Sequence, residues 1–254
     1  MSLMKARKRE WYGLGLCWAL ALGIFIAWPQ LDLIISQWAR NPSLLSGDTT
    51  PFPYGQLGWV RGVWWVVPLI GQTIFVLGLL GFVLRRLAPT FFSSAWAQRI
   101  ALSRYRTRML ALWLVVFWGL GLAVNWGLKE VWGRPRPAAV QELGGVHPFQ
   151  KIYQISDYCS SNCSFVSGHA ATGFALLGWG LMASPAVRRR WWRVGMAAGL
   201  FFGLGRIIQG GHFTSDIVFA GLVIWLMATV IRSIWLRWRW RRYQQSRMQR
   251  LSRV

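Results

Sequence analysis

Six apolar runs, each about as long as a bilayer is thick, are joined by shorter polar segments along the sequence. A helix of about 20 apolar residues crosses the hydrocarbon core of a membrane. We therefore expect an all-α fold, an integral membrane bundle of six transmembrane helices that forms a single domain over residues 1–254. The predicted spans are 11–28, 59–84, 109–128, 165–184, 191–209 and 216–236.

The charged residues are few, and they are placed unevenly. They make up 14% of the chain, whereas a soluble domain contains about 25%. Of the 29 lysines and arginines, 21 lie in four segments, which are the N-terminus, 85–108, 185–193 and the tail 237–254. These segments alternate with weakly basic ones, so the positive-inside rule predicts a multi-pass membrane protein with both termini and the basic tail in the cytoplasm.

The positions of the cations also indicate the kind of partner. They lie at the ends of apolar runs, where lysine and arginine meet lipid headgroups, and they are not interleaved with a soluble fold as in nucleic-acid-binding proteins. We expect the membrane as a partner and no nucleic acid. The first apolar run follows a basic N-terminus, as in a signal peptide, but its length and the sequence IAWPQ favour an uncleaved anchor.

Three polar segments converge on the opposite, external face in this topology. The first is KEVWGRPRP, residues 129–137, which carries Lys129, Arg134 and Arg136. Arginine forks suit phosphate oxygens, and lysine acts as a mobile point charge. The alternative is an ordinary basic cluster at the membrane edge. However, the other basic clusters of the chain are predicted to be cytoplasmic, whereas this one is predicted to be external.

The second segment is CSFVSGHAATGFALL, residues 163–177. Ser167 and Gly168 lie where the fourth span begins, and the free N–H groups and dipole of a helix start favour a bound anion. Gly168 allows the backbone to approach that anion closely, and His169 would lie beside it. Taken alone, the pattern is equally well explained by a helix cap followed by a chance histidine.

The third segment is RIIQGGHFTSDIV, residues 206–218. Asp216 lies one helical turn beyond His212, and a carboxylate bound to one imidazole nitrogen leaves the other nitrogen free to attack. Arg206 is the neighbouring cation. The alternative is a buried ion pair that holds spans five and six together, although a charged group at membrane depth is a functional hypothesis by default.

In this order and spacing, the three segments resemble the motifs of the type-2 phosphatidic acid phosphatase (PAP2) superfamily of membrane lipid phosphatases. The family patterns are Lys-x6-Arg-Pro, Pro-Ser-Gly-His and Ser-Arg-x5-His-x3-Asp. The matching residues are Lys129, Arg136, Pro137, Ser167, Gly168, His169, Arg206, His212 and Asp216. Val166 and Gly205 replace the proline and the serine of the family patterns. Among members, CSFVSGH and GGHFTSD are most similar to bacterial lipid A phosphatases. This similarity implies a bacterial inner membrane, with the active site at its periplasmic face.

The resemblance implies a role for each matching residue. His212 is the nucleophile, Asp216 orients it, and His169 is the general acid for the departing oxygen. The phosphoryl group is held by Lys129, Arg136, Ser167, Gly168 and Arg206, and Arg134 assists from behind them. Water then hydrolyses the phosphohistidine, and no metal or cofactor is needed.

Several functions remain open at this point. The substrate is a phosphate monoester or diphosphate of a lipid, which could be lipid A, undecaprenyl diphosphate or phosphatidylglycerol phosphate. The same intermediate could transfer its phosphate to another lipid. A non-catalytic anion transporter would distribute charges along a crossing path or show repeated halves, and neither is visible. A zinc hydrolase using the three histidines is a further alternative.

Two cysteines, Cys159 and Cys163, precede the second segment on the same external side. A disulfide is permitted outside the cytoplasm and could close this loop. Two free thiols are the alternative.

Overall fold

The computed structural model describes residues 2–40, 52–87 and 104–251. The α-helices are α1 (Ser2–Ala27), α2 (Leu31–Arg40), α3 (Gly58–Leu87), α4 (Arg104–Leu114), α5 (Lys129–Val131), α6 (Gly168–Ala175), α7 (Pro185–Ile208) and α8 (Thr214–Leu251). A π-helical segment, Val115–Leu128, joins α4 to α5. Short 3-10 helices occupy Pro53–Gln56, Pro137–Ala139, Gln141–Leu143 and Leu176–Gly180. This part of the chain contains no β-strand, so the all-α prediction is confirmed.

Within the described ranges, four helical segments are long and apolar enough to cross a bilayer: Lys8–Ala27, Gly58–Val83, Arg106–Val131 and Thr214–Gln249. They correspond to the first, second, third and sixth predicted spans. In place of the fourth span, the structure has the shorter α6 followed by the 3-10 helix Leu176–Gly180. The fifth span corresponds to α7, whose 24 residues include a basic first half. A multi-span helical bundle is thus confirmed, and the count of six stays a prediction. Most of the basic segment 85–108 lies outside the described residues.

Helix α6 is the central element of the bundle, and it packs against α3, α7, α8 and the π-helical segment. Its sequence, GHAATGFA, consists mainly of small residues, which let neighbouring helices come close. A Cβ on Gly173 would lie 2.5 Å from the backbone nitrogen of Gly199 in α7, so a larger residue would separate the two helices. The buried Phe174 ring fills the space beyond them. This packing fixes the position at which α6 begins.

Helices α7 and α8 run antiparallel and define two ends of the molecule. At one end, Glu10 accepts hydrogen bonds from Arg188 at 3.1 Å and from Arg232 at 2.7 Å, which joins α1, α7 and α8. At the other end, α7 finishes after Arg206 and α8 begins just before Asp216. The polar segments predicted to carry the chemistry therefore lie at the end of the bundle away from the Glu10 ion pairs.

Candidate active site

His212 lies in the tight connection between α7 and α8. Gly210 adopts a left-handed conformation with φ of 63°, which favours glycine. A Cβ on Gly211 would lie 2.3 Å from a guanidinium nitrogen of Arg206, so a larger residue there would displace that side chain. The connection buries His212 to 1% exposure. Its Nδ1 lies 2.7 Å from the backbone carbonyl oxygen of Ser164, so Nδ1–H donates to that oxygen and Nε2 keeps a lone pair.

The protonation of His212 suits a nucleophile. Burial lowers the pKa of the imidazole to about 3, although the neighbouring Asp216 carboxylate acts in the opposite direction. The ring is therefore neutral at physiological pH. A neutral ring with a free Nε2 lone pair is the form that can attack phosphorus.

Asp216 acts on His212 differently from the sequence prediction. Its Oδ2 is 3.6 Å from His212 Nδ1, which is too long for a hydrogen bond. Oδ2 instead accepts from Ser164 Oγ at 2.5 Å and from the Phe213 N–H at 2.8 Å. Asp216 thus holds Ser164, and the Ser164 carbonyl orients the imidazole. The sequence motifs did not indicate a role for Ser164. This residue lies in the loop before α6, and the spacing of His212 and Asp216 contains no information about that loop.

Arg134 contacts two carboxylates behind the cavity that Arg206 lines. It is fully buried and donates to Asp216 Oδ1 at 2.6 Å and to Asp32 Oδ2 at 2.8 Å. Its guanidinium lies 4.3 Å from the centre of the Phe213 ring. Arg134 therefore bridges two carboxylates and is not among the residues that line the cavity beside Arg206.

Asp32, the second carboxylate of this network, was missed by sequence reasoning. It lies in α2 with 1% exposure and also accepts from the N–H of Ser215 at 2.8 Å and from its hydroxyl at 2.5 Å. The sequence does contain one indication of a role for Asp32. The chain has only 7 acidic residues, and an aspartate in an apolar helix such as LDLIISQWAR is seldom buried without a partner.

A cavity of about 430 Å³ opens beside the His212 connection. Its lining residues are Arg61, Trp64, Trp65, Arg136, Ala138, Arg206, Gln209, Gly210 and Gly211.

Arg206 is 2% exposed and lies 4.4 Å from the Trp64 ring centre. Its Nη1 donates to Gln209, whereas its buried Nε has no hydrogen-bond acceptor in the described structure. An unpaired guanidinium N–H at an arginine-lined cavity suits a phosphate oxygen. Arg61 lies inside the second predicted span, 59–84.

The start of α6 faces the same region. Ser167 is the N-cap, and its hydroxyl accepts from the Ala170 N–H at 3.4 Å. The N–H groups of Gly168 and His169 have no intrahelical acceptor, as in the first turn of any helix. A Cβ on Gly168 would lie 2.8 Å from Asn125 Oδ1, so a larger residue there would displace the Asn125 side chain.

His169 and Arg206 share one aromatic platform. The His169 ring stacks on Trp64 with a centroid distance of 5.6 Å, and its Nε2 lies 3.3 Å from the Trp64 backbone oxygen. Since Arg206 lies against the same indole, Trp64 places the expected general acid beside an expected phosphate ligand. The sequence suggested no role for Trp64, one of 19 tryptophans.

The remaining expected phosphate ligands, Lys129 and Arg136, meet at one loop residue. Lys129 Nζ donates to Asn162 Oδ1, and Arg136 Nη2 donates to the Asn162 backbone oxygen at 2.8 Å. A disulfide joins Cys159 to Cys163 around this residue. Within the described ranges, no three histidine, cysteine, aspartate or glutamate side chains cluster closely enough to hold a metal ion.

Comparisons with known proteins agree with this geometry. The model of the PAP2 superfamily matches residues 110–242. A lipid A 4'-phosphatase of Francisella tularensis subsp. novicida is 35% identical over 172 residues, which cover 63% of this chain and 77% of the relative. A lipid A 4'-phosphatase of Rhizobium leguminosarum is 30% identical over 230 residues, 84% of this chain and 89% of the relative. A Rhizobium etli protein with the same name is 29% identical over 230 residues, 84% of this chain and 80% of the relative.

No solved structure matches the chain significantly. The family match covers more than half of the sequence and includes every residue that the three motifs contribute. The chain belongs to the PAP2 superfamily.

Proposed function

We propose that the protein is a membrane lipid phosphatase that removes a phosphate from lipid A at the periplasmic face through a phosphohistidine intermediate. The observation that carries this proposal is the neutral, buried His212 with a free Nε2 next to a cavity lined by Arg136 and Arg206. Lipid A is favoured over undecaprenyl diphosphate and phosphatidylglycerol phosphate because the matched relatives are lipid A 4'-phosphatases.

The reaction proceeds in two displacements. His212 Nε2 attacks phosphorus, the bond to the lipid oxygen breaks, and His169 gives its proton to that oxygen. Water then attacks the phosphohistidine, His169 takes a proton from the water, and inorganic phosphate leaves. Lys129, Arg136 and Arg206 stabilise the charge that develops on the phosphoryl oxygens.

The mouth of the cavity suits a substrate that stays in the bilayer. Trp65 is 68% exposed, and together with Arg61 it lies near the start of the apolar helix α3. Tryptophan and arginine at a helix end are typical of the membrane–water interface. A phosphate at the headgroup level of a lipid can reach the cavity from there.

The periplasmic location rests on the charge distribution. Arg188, in the basic segment 185–193, and Arg232, shortly before the basic tail, lie at the end of the bundle away from His212. Placing the basic segments in the cytoplasm puts His212 outside.

The direct test is product analysis with purified protein and three lipids: lipid A, undecaprenyl diphosphate and phosphatidylglycerol phosphate. We expect inorganic phosphate and singly dephosphorylated lipid A by mass spectrometry, and none from a His212→Gln control. Release from another lipid but not from lipid A would reassign the substrate. Phosphate recovered on an added acceptor lipid would indicate the phosphotransferase alternative.

The same assay tests the metal hydrolase alternative. The lysine and arginine groups at the site supply the positive charge that a metal would otherwise supply, so we expect full activity in excess EDTA. Activity that disappears on chelation and returns with zinc would contradict the proposed chemistry.

A further inference from the structure

We propose that Asn162, fixed within the Cys159–Cys163 disulfide loop, is a positioning residue for Lys129 and Arg136, so that the disulfide supports phosphate binding. This inference rests on the proposed function, since Lys129 and Arg136 are the cations expected to hold the phosphoryl group. Neither the family motifs nor the names of the relatives include Asn162 or the disulfide.

Three contacts converge on Asn162. Its side-chain Oδ1 accepts from Lys129 Nζ, and its backbone oxygen accepts from Arg136 Nη2 at 2.8 Å. Its own N–H donates to Glu130 Oε1 at 3.3 Å. One residue therefore touches both cations and the helix turn that carries Lys129.

The two acceptors on Asn162 are neutral. Lysine and arginine side chains lose rotamer entropy when they are held in one conformation, so fixing them before binding favours the bound state. An amide and a backbone carbonyl can hold the cations without cancelling their charge. Lys129 and Arg136 thus remain available to a phosphate dianion.

The disulfide maintains the unusual backbone of Asn162. This residue has φ of 49° in the left-handed region, which asparagine and glycine tolerate better than other residues. The bond between Cys159 and Cys163 closes the loop four residues apart in sequence, with the Cα atoms 5.7 Å apart. Opening the loop frees its backbone, and the two cations lose their shared acceptor.

The test measures binding of tungstate, a tetrahedral oxyanion that resembles phosphate, by calorimetry on the purified full-length protein. Asn162→Gly keeps the left-handed backbone and removes only the contact to Lys129. We expect its Kd for tungstate to rise roughly tenfold, the effect of losing one modest charge-assisted hydrogen bond. KM for the lipid should rise similarly while kcat changes little, and Ser160→Ala, an exposed neighbour in the same loop, should match wild type.

A charge variant separates positioning from a purely structural role. Asn162→Asp has the same shape, but its carboxylate would pair with the cations and repel the anion, so it should bind tungstate more weakly than Asn162→Gly. A residue that only maintains the loop would tolerate aspartate better than glycine. Equal or tighter binding by Asn162→Asp relative to Asn162→Gly contradicts the inference.

Reduction provides an independent measurement. Dithiothreitol supplies two electrons and two protons, turns the disulfide into two thiols and itself becomes a cyclic disulfide. Reduced wild type should bind tungstate as weakly as a Cys159→Ala/Cys163→Ala variant, and that variant should not respond to dithiothreitol. Wild type that binds tungstate equally well before and after reduction overturns the role of the disulfide, whereas wild type that never binds tungstate overturns the proposed function itself.

Discussion

At the scale of a single residue, the position of one proton on His212 decides which nitrogen can attack phosphorus. The Ser164 carbonyl accepts the Nδ1 proton, and the Asp216 carboxylate holds Ser164 through its hydroxyl. The orientation of His212, the proposed nucleophile, therefore depends on a residue 48 positions earlier in the chain. The four-residue spacing of His212 and Asp216 indicated that the two groups act together, but it could not reveal the serine between them.

The two histidines should respond differently to substitution. His212→Gln should abolish the labelled phosphate that can be trapped on wild-type protein, because no Nε2 remains to accept it. His169→Ala should slow hydrolysis of the lipid by about 10²–10⁴, the usual contribution of a general acid. The same variant should lose much less activity on an aryl phosphate, whose leaving group needs little protonation. The measurements are acid-quenched labelling and the ratio of the two activities.

Two results would contradict this division of roles. Label that still accumulates on His212→Gln would place the nucleophile elsewhere. An equal loss on both substrates in His169→Ala would remove the general-acid role and leave His169 as a ligand or a packing partner of Trp64.

At the scale of elements, α2 is a short helix that reaches the active site through one buried carboxylate. Asp32 connects it to Arg134 and to the N–H of Ser215 in the first turn of α8. Arg134 in turn holds Asp216. The network connects α2, the loop after α5 and the start of α8, so the geometry around His212 depends on a helix that contributes no residue to the cavity lining.

Replacing Asp32 should therefore affect both stability and turnover. Asp32→Ala leaves the buried Ser215 N–H without an acceptor and Arg134 with one carboxylate fewer, and breaking a buried pair costs about 3–5 kcal/mol. We expect a lower Tm and a lower kcat, with a milder effect for Asp32→Asn, which keeps an acceptor for Ser215. The matched control is Glu142→Gln, which neutralises an exposed carboxylate. A Tm and kcat unchanged in Asp32→Ala would show that α2 is not coupled to the site.

Some of the helices and site residues could be predicted from the sequence, and others could not. Apolar runs predicted the four long helices because length and composition are local properties. The apolar run 165–184 begins three residues before the helix, whose N-cap is Ser167. Mean hydropathy does not register the glycines and alanines that let α6 pack at the centre. The site residues came from local motifs, whereas Asp32, Ser164, Trp64 and Asn162 join the site only through tertiary contacts.

At the scale of the whole molecule, the two ends of the bundle differ in their charge. The end with Glu10, Arg188 and Arg232 continues into the basic tail, where Arg239 lies 4.9 Å from the Trp235 ring centre and Arg242 lies 4.1 Å from that of Trp238. Arginine beside an indole at a helix end is suited to an anionic membrane surface. The other end carries the buried network and the cavity.

This asymmetry predicts which end faces the periplasm. Val146 is 75% exposed and lies in the loop after α5. Ala138 connects this loop to the site, since its N–H donates to the Gly210 carbonyl oxygen at 3.1 Å. Ala186 is exposed at the opposite end, near the start of α7.

In a Cys17→Ser background, Val146→Cys should react with a membrane-impermeant maleimide added to spheroplasts, and Ala186→Cys should react only after the membrane is opened. The disulfide between Cys159 and Cys163 leaves no thiol there to interfere. The positive-inside rule gives this direction because the basic segments resist translocation. Labelling of Ala186→Cys alone in sealed spheroplasts would place the active site in the cytoplasm, where it could act only on lipid phosphates of the inner leaflet.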